Sequence, residues 1–376
     1  MWSLIVLSVL SGFGVSVLVT WLMLRLAPRL GLLDKPGVRK VHSVPTPMGG
    51  GVGIWLGVLL PLAGAQLAVA LVQHGMISID WVPGALRPHL EGIAWRAPQL
   101  WAILLGGTVL VTLGLLDDLH NLRWQPRLLV QLLVACGVVA GGVRGSAFLS
   151  MAGLGGGLTV LWIVVMTNSF NFLDNMDGLS GGIALIVSVM FAVIMLIGGP
   201  QPHWFVAAFL LILAGSLAGF LVFNWPPAKI FMGDAGSNLI GMWLGCLVVV
   251  GTFYEYDRNS RHVILAPLCV LAVPLYDFCS VVLIRLLQGR SPFHADKSHF
   301  SHRLVELGLS RHRAVLTIHL VTLTTGIGGL LLYQVSGWGG ACLILLMVAC
   351  LLAVIAILET AGRRKSARLE REQSDS

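Results

Sequence analysis

The fold is decided by residues 100–118, LWAILLGGTVLVTLGLLDD, in which 17 uncharged, mostly apolar residues lead directly into the carboxylates of Asp117 and Asp118. A helix rises about 1.5 Å per residue, so a run of this length approaches what crosses the hydrocarbon core of a bilayer. A carboxylate beside hydrocarbon is costly to keep ionised unless a cation or water holds it. The stretch therefore predicts a membrane-spanning helix that ends in a functional site.

The rest of the chain repeats this apolar pattern. Of its 376 residues, 56% are hydrophobic and 11% are charged, and the mean hydropathy is +0.87, whereas soluble proteins carry about 25% charged residues. This composition excludes an ordinary soluble enzyme and predicts an all-α fold, a polytopic integral membrane helix bundle of about 11 transmembrane helices. We expect a single transmembrane domain over residues 1–362 and a charged cytoplasmic tail over residues 363–376. The predicted spans lie near residues 3–25, 51–72, 100–116, 128–143, 156–172, 179–198, 204–223, 236–253, 263–287, 314–333 and 339–360.

Basic residues divide unequally between the two ends of these spans. With the N-terminus outside, the connections on the cytoplasmic side hold 19 of the 24 Lys and Arg residues. Cytoplasmic connections of membrane proteins are enriched in Lys and Arg, so this division predicts an N-terminus outside and a C-terminus in the cytoplasm. The net charge of +7 is then explained by topology and implies no nucleic acid partner.

Cysteine and glycine usage agree with a bundle embedded in a lipid bilayer. The chain has 45 glycines, which allow helix backbones to approach closely in lipid. Such a bundle can also form a homodimer. No two cysteines form a CxxC pair, so we expect buried free thiols rather than disulfides or metal ligands. The six cysteines lie in the predicted spans, at Cys136, Cys246, Cys269, Cys279, Cys342 and Cys350.

Acidic and amide side chains gather at the predicted cytoplasmic ends of the spans. The run 168–178, NSFNFLDNMDG, spaces Asn and Asp residues three apart, which places them on one helical face or in one polar loop. Their oxygens suit a hard cation such as Mg²⁺, although stacked Asn and Asp can also bind neighbouring helices. Asp117 and Asp118 could bind a metal or act as a base, or could form a solvated helix end. Asp234, at the start of a later helix, is either a metal ligand or an N-cap.

Two further features lie near the C-terminal end of the chain. Asp277, in PLYDF, is a fourth place where an acid stands at the limit of a hydrophobic stretch, and it receives no specific role. The connection 285–313 is rich in Arg and His and includes His299 and His302 at i and i+3. Since no cysteine lies nearby, a phosphate-binding pair is favoured over a zinc site. A cytoplasmic connection would also be basic for reasons of topology alone.

Five stretches together resemble the polyprenyl-phosphate N-acetylhexosamine-1-phosphate transferases, a family (glycosyltransferase family 4) that contains the enterobacterial-antigen and teichoic-acid initiating enzymes and the phospho-N-acetylmuramoyl-pentapeptide transferase of peptidoglycan synthesis. They occur in the family's order and spacing, and the resemblance covers residues 15–335. The stretches are LLDKPGVRKVHSVPTPMGGGVGI at 32–54, GLLDDLHN at 114–121, NSFNFLDNMDG at 168–178, FNWPPAKIFMGDAGS at 223–237 and HADKSHFSHRL at 294–304.

The resemblance implies an activity and a place for it. It implies transfer of an N-acetylhexosamine 1-phosphate, GlcNAc 1-phosphate in particular, from a UDP-sugar to a membrane polyprenyl (undecaprenyl) phosphate, with release of UMP. Mg²⁺ is the implied cofactor, and Mn²⁺ could replace it. The reaction would begin cell-envelope glycan synthesis, with the active site on the cytoplasmic face of the inner (plasma) membrane.

The resemblance also implies roles for individual residues. It makes Asp234 and Asp174 ligands of Mg²⁺, and Asp117 and Asp118 the catalytic pair that deprotonates or orients the lipid phosphate. Phe231 stands where the family stacks the uracil of the nucleotide. The implied substrate-binding residues are Lys40, His42, Arg127, Asn171, Asp177, Asn224, Phe231, His299, His302 and Arg303.

Two positions depart from the family's pattern, and two other functions remain open. Asn121 replaces the third acid of the DDxxD motif, and Ser301 replaces a histidine of the HxHH motif.

The interrupted histidine motif and RKVH at 39–42 favour the GlcNAc 1-phosphate branch over the muramoyl-pentapeptide branch. A cation-coupled transporter would place its acids near the midpoints of the spans, whereas here most follow the ends of spans.

Overall fold

The computed structural model of the protein describes residues 2–34, 44–82, 84, 86–144, 152–199, 201–252, 261–292 and 299–374. The chain divides into two compact units, Met1–Glu255 and Tyr256–Ser376, and each is described by itself. Helices make up most of both units, which confirms the predicted all-α class.

The first unit contains nine helices and a short β ribbon within the described residues. The helices are α1 (Trp2–Leu26), α2 (Gly50–Gln73), α3 (Leu90–Trp95), α4 (Ala97–His120), α5 (Trp124–Ala140), α6 (Ala152–Leu173), α7 (Leu179–Ile197), α8 (Trp204–Asn224) and α9 (Gly233–Thr252). Strands β1 (Leu33–Asp34) and β2 (Thr46–Pro47) pair antiparallel, with Leu33 opposite Pro47 and Asp34 opposite Thr46. The second unit contains α10 (Ala266–Val270), α11 (Ala272–Leu287), α12 (Phe300–Glu306), α13 (Arg311–Leu332) and α14 (Trp338–Ser374).

Many of these helices can cross a membrane. In the described part of the chain, nine are long and apolar enough to do so, namely α1, α2, α4, α6, α7, α8, α9, α13 and α14. The segment Arg261–Val270 together with α11 would be a tenth span, bent by 68°, and α5 is apolar but has only 17 residues. The structure thus supports nine to ten spans, while the count of 11 and the orientation stay predictions.

The bend between α10 and α11 has a cause in the sequence. Pro274 lies four residues after Val270, the last residue of α10. A proline has no N–H to donate to the carbonyl four residues earlier, and its ring clashes with that carbonyl. The helix therefore ends at Val270 and restarts at Ala272.

Helix α9 packs against α4 and α6, and this packing positions the acidic residues of the first unit. Gly114 of α4 lies so close to α9 that a β-carbon at this position would collide with the backbone of Ala235. Small residues allow helix backbones to approach this closely in membrane proteins. The close approach brings the end of α4, with Asp117 and Asp118, beside the beginning of α9, with Asp234.

The thiols separate into two groups, both of them free. Cys246 and Cys269 are buried, as predicted. The prediction is wrong for the four that lie exposed on the protein surface, Cys136, Cys279, Cys342 and Cys350. Apolar composition does not distinguish a residue that faces the protein core from one that faces outward on a membrane-spanning helix, because lipid and core are both apolar.

Candidate active site

The first carboxylate of the site is held by the end of α4. Asp117 is buried, and its Oδ1 accepts a hydrogen bond of 2.7 Å from the backbone N–H of Leu122. The helix ends because Asn121 adopts a left-handed conformation with φ of +51°, which Asn tolerates better than most residues. The residue that replaces the family's third acid therefore serves here as a helix C-cap.

The second carboxylate, that of Asp118, lies against the beginning of α9. Its Oδ1 accepts a hydrogen bond of 3.1 Å from the backbone N–H of Asp234. The preceding residue, Gly233, has φ of +71°, and a β-carbon there would collide with the Asp118 carboxylate. The other oxygen, Asp118 Oδ2, is buried and has no hydrogen-bond partner within the described residues. A buried, unpaired carboxylate oxygen is costly, so this atom indicates a place for a ligand.

Arg127 of α5 joins two of the carboxylates. One guanidinium nitrogen, Nη1, lies 2.5 Å from Asp117 Oδ2 and 3.2 Å from Asp234 Oδ2. The other, Nη2, is 3.4 Å from Asn171 Oδ1. A single guanidinium thus compensates two acids contributed by two different helices.

Helix α6 contributes Asn171 and, just beyond its end, Asp174. The Asn171 amide donates hydrogen bonds to Asp234 Oδ1 at 2.8 Å and to the hydroxyl of Ser237 at 3.1 Å. Burial, together with the charges of Asp234, Asp118 and Asp177, raises the pKa of Asp174 well above its ordinary value. The structure therefore brings Asp117, Asp118, Arg127, Asn171, Asp174 and Asp234 into one cluster, which we call the acidic cluster.

The loops after α6 and α8 are bonded to each other beside this cluster. Asn224 is buried, accepts a hydrogen bond of 3.0 Å from the backbone of Gly178, and donates one of 2.8 Å to the carbonyl of Ile230. Asp177 Oδ2 accepts from the backbone of Ala228 at 3.0 Å. Asn224 and Asp177 thus join the two loops, and their predicted contacts with substrate stay predictions.

Phe231 is held at the beginning of α2. Its backbone N–H donates to the carbonyl of Pro47, and its carbonyl accepts from Gly50, both at 2.9 Å. The ring is half-buried. Its predicted stacking on uracil is a question of ligand contact that stays a prediction.

Sequence reasoning missed a chain of hydrogen-bonded amides next to the acidic cluster, in which Gln131 and Asn238 are buried. Gln131 donates a hydrogen bond of 3.1 Å to Asn238 and accepts one of 2.8 Å from Asn168. Asn238 donates in turn to the backbone carbonyl of Asp234 at 2.7 Å. The sequence did indicate such a chain, because Gln131 and Asn238 are polar residues inside predicted spans, where polar groups need hydrogen-bond partners.

The basic residues predicted to bind substrate near the C-terminal end belong to the second unit. His299 is buried, and its Nδ1 lies 3.0 Å from Asp277 Oδ2. His302 is half-buried, with its ring centroid 6.5 Å from that of His299. Arg303 is also buried, with Nε 2.9 Å from Glu359 Oε2. Sequence reasoning had given no role to Asp277 and had not noticed Glu359.

Two other predicted contacts lie outside the described residues. These are Lys40 and His42 of the first predicted cytoplasmic connection. Their predicted contacts with phosphate remain expectations from the resemblance.

The acidic cluster is suited to a cation that is shared with a substrate. No three His, Cys, Asp or Glu side chains, among those the structure describes, lie close enough to hold a metal ion between them. Mg²⁺ does not require such a group, because it usually binds one or two carboxylates and completes its shell with water and substrate phosphates. Two carboxylates of the cluster, those of Asp174 and Asp234, are enough for this mode of binding.

Comparison with known proteins agrees with the geometry. A sequence profile described as Glycosyl transferase family 4 matches residues 100–252, which include the whole acidic cluster. The chain is 31% identical over 340 residues to a protein named probable undecaprenyl-phosphate N-acetylglucosaminyl 1-phosphate transferase of Bacillus subtilis, covering 88% of this chain and 86% of the relative.

Other bacteria also contain similar proteins. Over 318 residues the chain is 33% identical to the decaprenyl-phosphate N-acetylglucosaminephosphotransferase of Mycobacterium tuberculosis, covering 78% of this chain and 74% of the relative. It is 27% identical over 343 residues to the undecaprenyl-phosphate alpha-N-acetylglucosaminyl 1-phosphate transferase of Escherichia coli, covering 86% and 83%. With matches that cover most of both sequences, the chain belongs to glycosyl transferase family 4, the family of polyprenyl-phosphate N-acetylhexosamine-1-phosphate transferases.

Proposed function

We propose that this protein transfers GlcNAc 1-phosphate from UDP-GlcNAc to a polyprenyl phosphate in the membrane. The observation that carries the proposal is the acidic cluster, in which four carboxylates gather where apolar helices begin or end and the guanidinium of Arg127 pairs with two of them. The relatives named above are transferases for GlcNAc 1-phosphate and act on undecaprenyl or decaprenyl phosphate. This supports the same sugar and the same class of acceptor here.

The proposed reaction exchanges one phosphorus–oxygen bond for another. An oxygen of the polyprenyl phosphate attacks the sugar-bearing phosphorus of UDP-GlcNAc, and the bond from that phosphorus to the UMP oxygen breaks. The products are polyprenyl-diphosphate-linked GlcNAc and UMP. Because the second pKa of a phosphate monoester is about 6, the acceptor is largely ionised near neutral pH, and strong base catalysis is unnecessary.

The main obstacle to this reaction is repulsion between two anionic substrates. Mg²⁺ or Mn²⁺, held by Asp174 and Asp234, would neutralise charge on the donor diphosphate. Asp117 is fixed by Arg127 and by the backbone of Leu122, so it can orient the lipid phosphate. Arg127 can transfer part of its bonding from the carboxylates to a phosphate, because guanidinium groups bind both kinds of anion.

The location of the acidic cluster suits one substrate in lipid and one in water. Every carboxylate in it lies at or near the end of a helix that can cross a membrane. With the N-terminus outside and 11 spans, all of these ends would face the cytoplasm, which holds the nucleotide sugar. This would place the reaction at the inner face of the plasma membrane, at the start of cell-envelope glycan synthesis.

Cysteine labelling tests that orientation. Single cysteines at Leu122 and Lys229, in a variant without the native cysteines, should react with a membrane-impermeant thiol reagent only after the inner face has been opened. Labelling of either position in intact cells would contradict the proposed orientation.

A transfer assay tests the proposed activity and its alternatives. Membranes that contain the protein receive polyprenyl phosphate, Mg²⁺ and either radiolabelled UDP-GlcNAc or UDP-MurNAc-pentapeptide. We expect label in the lipid fraction from UDP-GlcNAc alone, with release of UMP. Label from the muramoyl substrate alone would assign the protein to the other branch of the family. Cation flux into vesicles without lipid labelling would indicate a transporter instead.

A further inference from the structure

Asp277 of α11 is a buried carboxylate that the proposed reaction has not yet used. Its side chain is 0% exposed. One oxygen, Oδ2, lies 3.0 Å from Nδ1 of His299, and the other, Oδ1, accepts a hydrogen bond of 2.6 Å from the backbone N–H of Phe300. Each carboxylate oxygen therefore has its own hydrogen-bond partner, and both partners lie at the beginning of α12.

The local sequence explains why α12 needs this carboxylate. The first N–H groups of a helix have no partner within the helix and are usually capped by a side chain. His299 is the N-cap residue, and its own side chain makes no capping hydrogen bond. Asp277 supplies the acceptor from another helix and, in doing so, reaches the imidazole ring of the cap residue.

We propose that Asp277 is a positioning residue that sets the orientation and proton of His299 for binding the diphosphate of the UDP-sugar. This inference rests on the proposed function. A carboxylate only accepts hydrogen bonds, so the ring nitrogen that faces it must carry a proton. The carboxylate also balances the charge of an imidazolium, the form in which the second nitrogen can donate to a phosphate.

The second buried carboxylate of this unit has a different partner. Glu359 of α14 is 5% exposed, and its Oε2 forms an ion pair with Arg303, 2.9 Å from Nε, and accepts a hydrogen bond of 2.9 Å from the hydroxyl of Tyr276. Arg303 also donates to the hydroxyl of Ser280 at 2.8 Å. Glu359 thus compensates the guanidinium, while Asp277 is the carboxylate that contacts the imidazole. This difference provides a matched control.

Asp277→Asn separates the two roles of the carboxylate, which are to cap the N–H of Phe300 and to hold the imidazole of His299. The amide oxygen can still accept from Phe300 N–H, which has to keep an acceptor because it is buried. The amide nitrogen then faces His299 and forces its proton onto the other ring nitrogen, and the negative charge is lost. The substitution preserves size and the helix cap but changes the state of the imidazole.

A double-mutant cycle with His299→Ala tests the inference in the full-length, detergent-purified protein. We expect Asp277→Asn to lower kcat/KM for UDP-GlcNAc by about 10- to 100-fold, the usual effect of removing a carboxylate that orients a histidine in a metal site. In the His299→Ala background the same substitution should cost less than about 2-fold, because coupled residues are not additive. Glu359→Gln, the control, should cost the same factor in both backgrounds.

The outcomes distinguish this inference from the proposed function. Equal losses from Asp277→Asn in both backgrounds would overturn the positioning role and leave Asp277 as a helix cap. Absence of transfer by the wild-type protein would refute the proposed function instead. Nitrogen-15 NMR of histidine-labelled wild-type protein, assigned with His299→Ala, covers the case in which a variant fails to fold. A protonated Nδ1 supports the inference, and a deprotonated Nδ1 overturns it.

Discussion

The two units of the protein differ in how far basic side chains balance their carboxylates. In the acidic cluster of the first unit, the carboxylates of Asp117, Asp118, Asp174 and Asp234 lie near one another, and the guanidinium of Arg127 pairs with two of them, those of Asp117 and Asp234. In the second unit, each buried carboxylate that the structure describes contacts one basic side chain, Asp277 that of His299 and Glu359 that of Arg303.

This difference separates functional charge from structural charge. A buried pair that is matched and hydrogen-bonded offsets much of its desolvation cost, whereas an excess of one sign costs stability. A protein has little reason to maintain four crowded carboxylates unless a cationic ligand compensates them. We therefore propose that the excess of carboxylates marks the reacting centre, and that the paired carboxylates hold other residues in place.

The largest effect on transfer is expected from removing a carboxylate of the acidic cluster. Asp234→Asn and Asp174→Asn should each lower transfer by at least about 10³-fold, or ~4 kcal/mol, because each removes a proposed metal ligand. The measurement is lipid-linked sugar formed as a function of Mg²⁺ concentration. Asp80→Asn makes the same chemical change at an exposed acid outside the cluster and should leave transfer unchanged. Near wild-type transfer by either cluster variant at limiting Mg²⁺ would remove that residue from the metal site.

Breaking a matched pair should mainly affect stability. Glu359→Ala leaves Arg303 buried without its carboxylate, and this should lower the free energy of unfolding by about 3–5 kcal/mol. Thermal unfolding in detergent would show the loss as a lower Tm. An unchanged Tm would mean that this pair contributes little, and that matched charge is not what stabilises the second unit.

Alanine substitutions in the histidine motif should have intermediate effects on transfer. His299→Ala and His302→Ala should each cost about 2–4 kcal/mol of transition-state binding for UDP-GlcNAc, the scale of losing a contact with a charged group in a preorganised site. Ser301→Ala, between them, should cost less than about 1.5 kcal/mol, as for a neutral hydrogen bond. If all three variants show equal and small losses in kcat/KM, the connection is basic for topology alone.

The smallest effect is expected at the family's third acid. Asn121 is an exposed C-cap with positive φ, so Asn121→Gly should change stability by less than about 0.5 kcal/mol, while Asn121→Val should cost about 1–2 kcal/mol through backbone strain. Neither variant, once folded, should change transfer per molecule. A large loss of transfer in the glycine variant would extend the acidic cluster to Asn121.

The sequence was sufficient to predict much of the fold and of the acidic cluster. Apolar runs near spanning length determined the helices, and Asp117, Asp118, Asp174 and Asp234 were conspicuous because acids are rare next to such runs. The same reasoning could not pair Asp277 with His299, which are 22 residues apart, because no sequence period relates residues on two different helices. It also could not predict that four thiols are exposed, since lipid and core select for the same residues.

The contrast between the two units is tested most directly by metal binding. Mn²⁺ bound to the purified protein can be measured by electron paramagnetic resonance in the presence of UDP-GlcNAc, for the wild type, Asp234→Asn and Asp277→Asn. The surplus of charge in the first unit predicts that Asp234→Asn loses Mn²⁺ binding and that Asp277→Asn keeps it. Binding that survives in Asp234→Asn, or that disappears in Asp277→Asn, would contradict the assignment of the acidic cluster as the reacting centre.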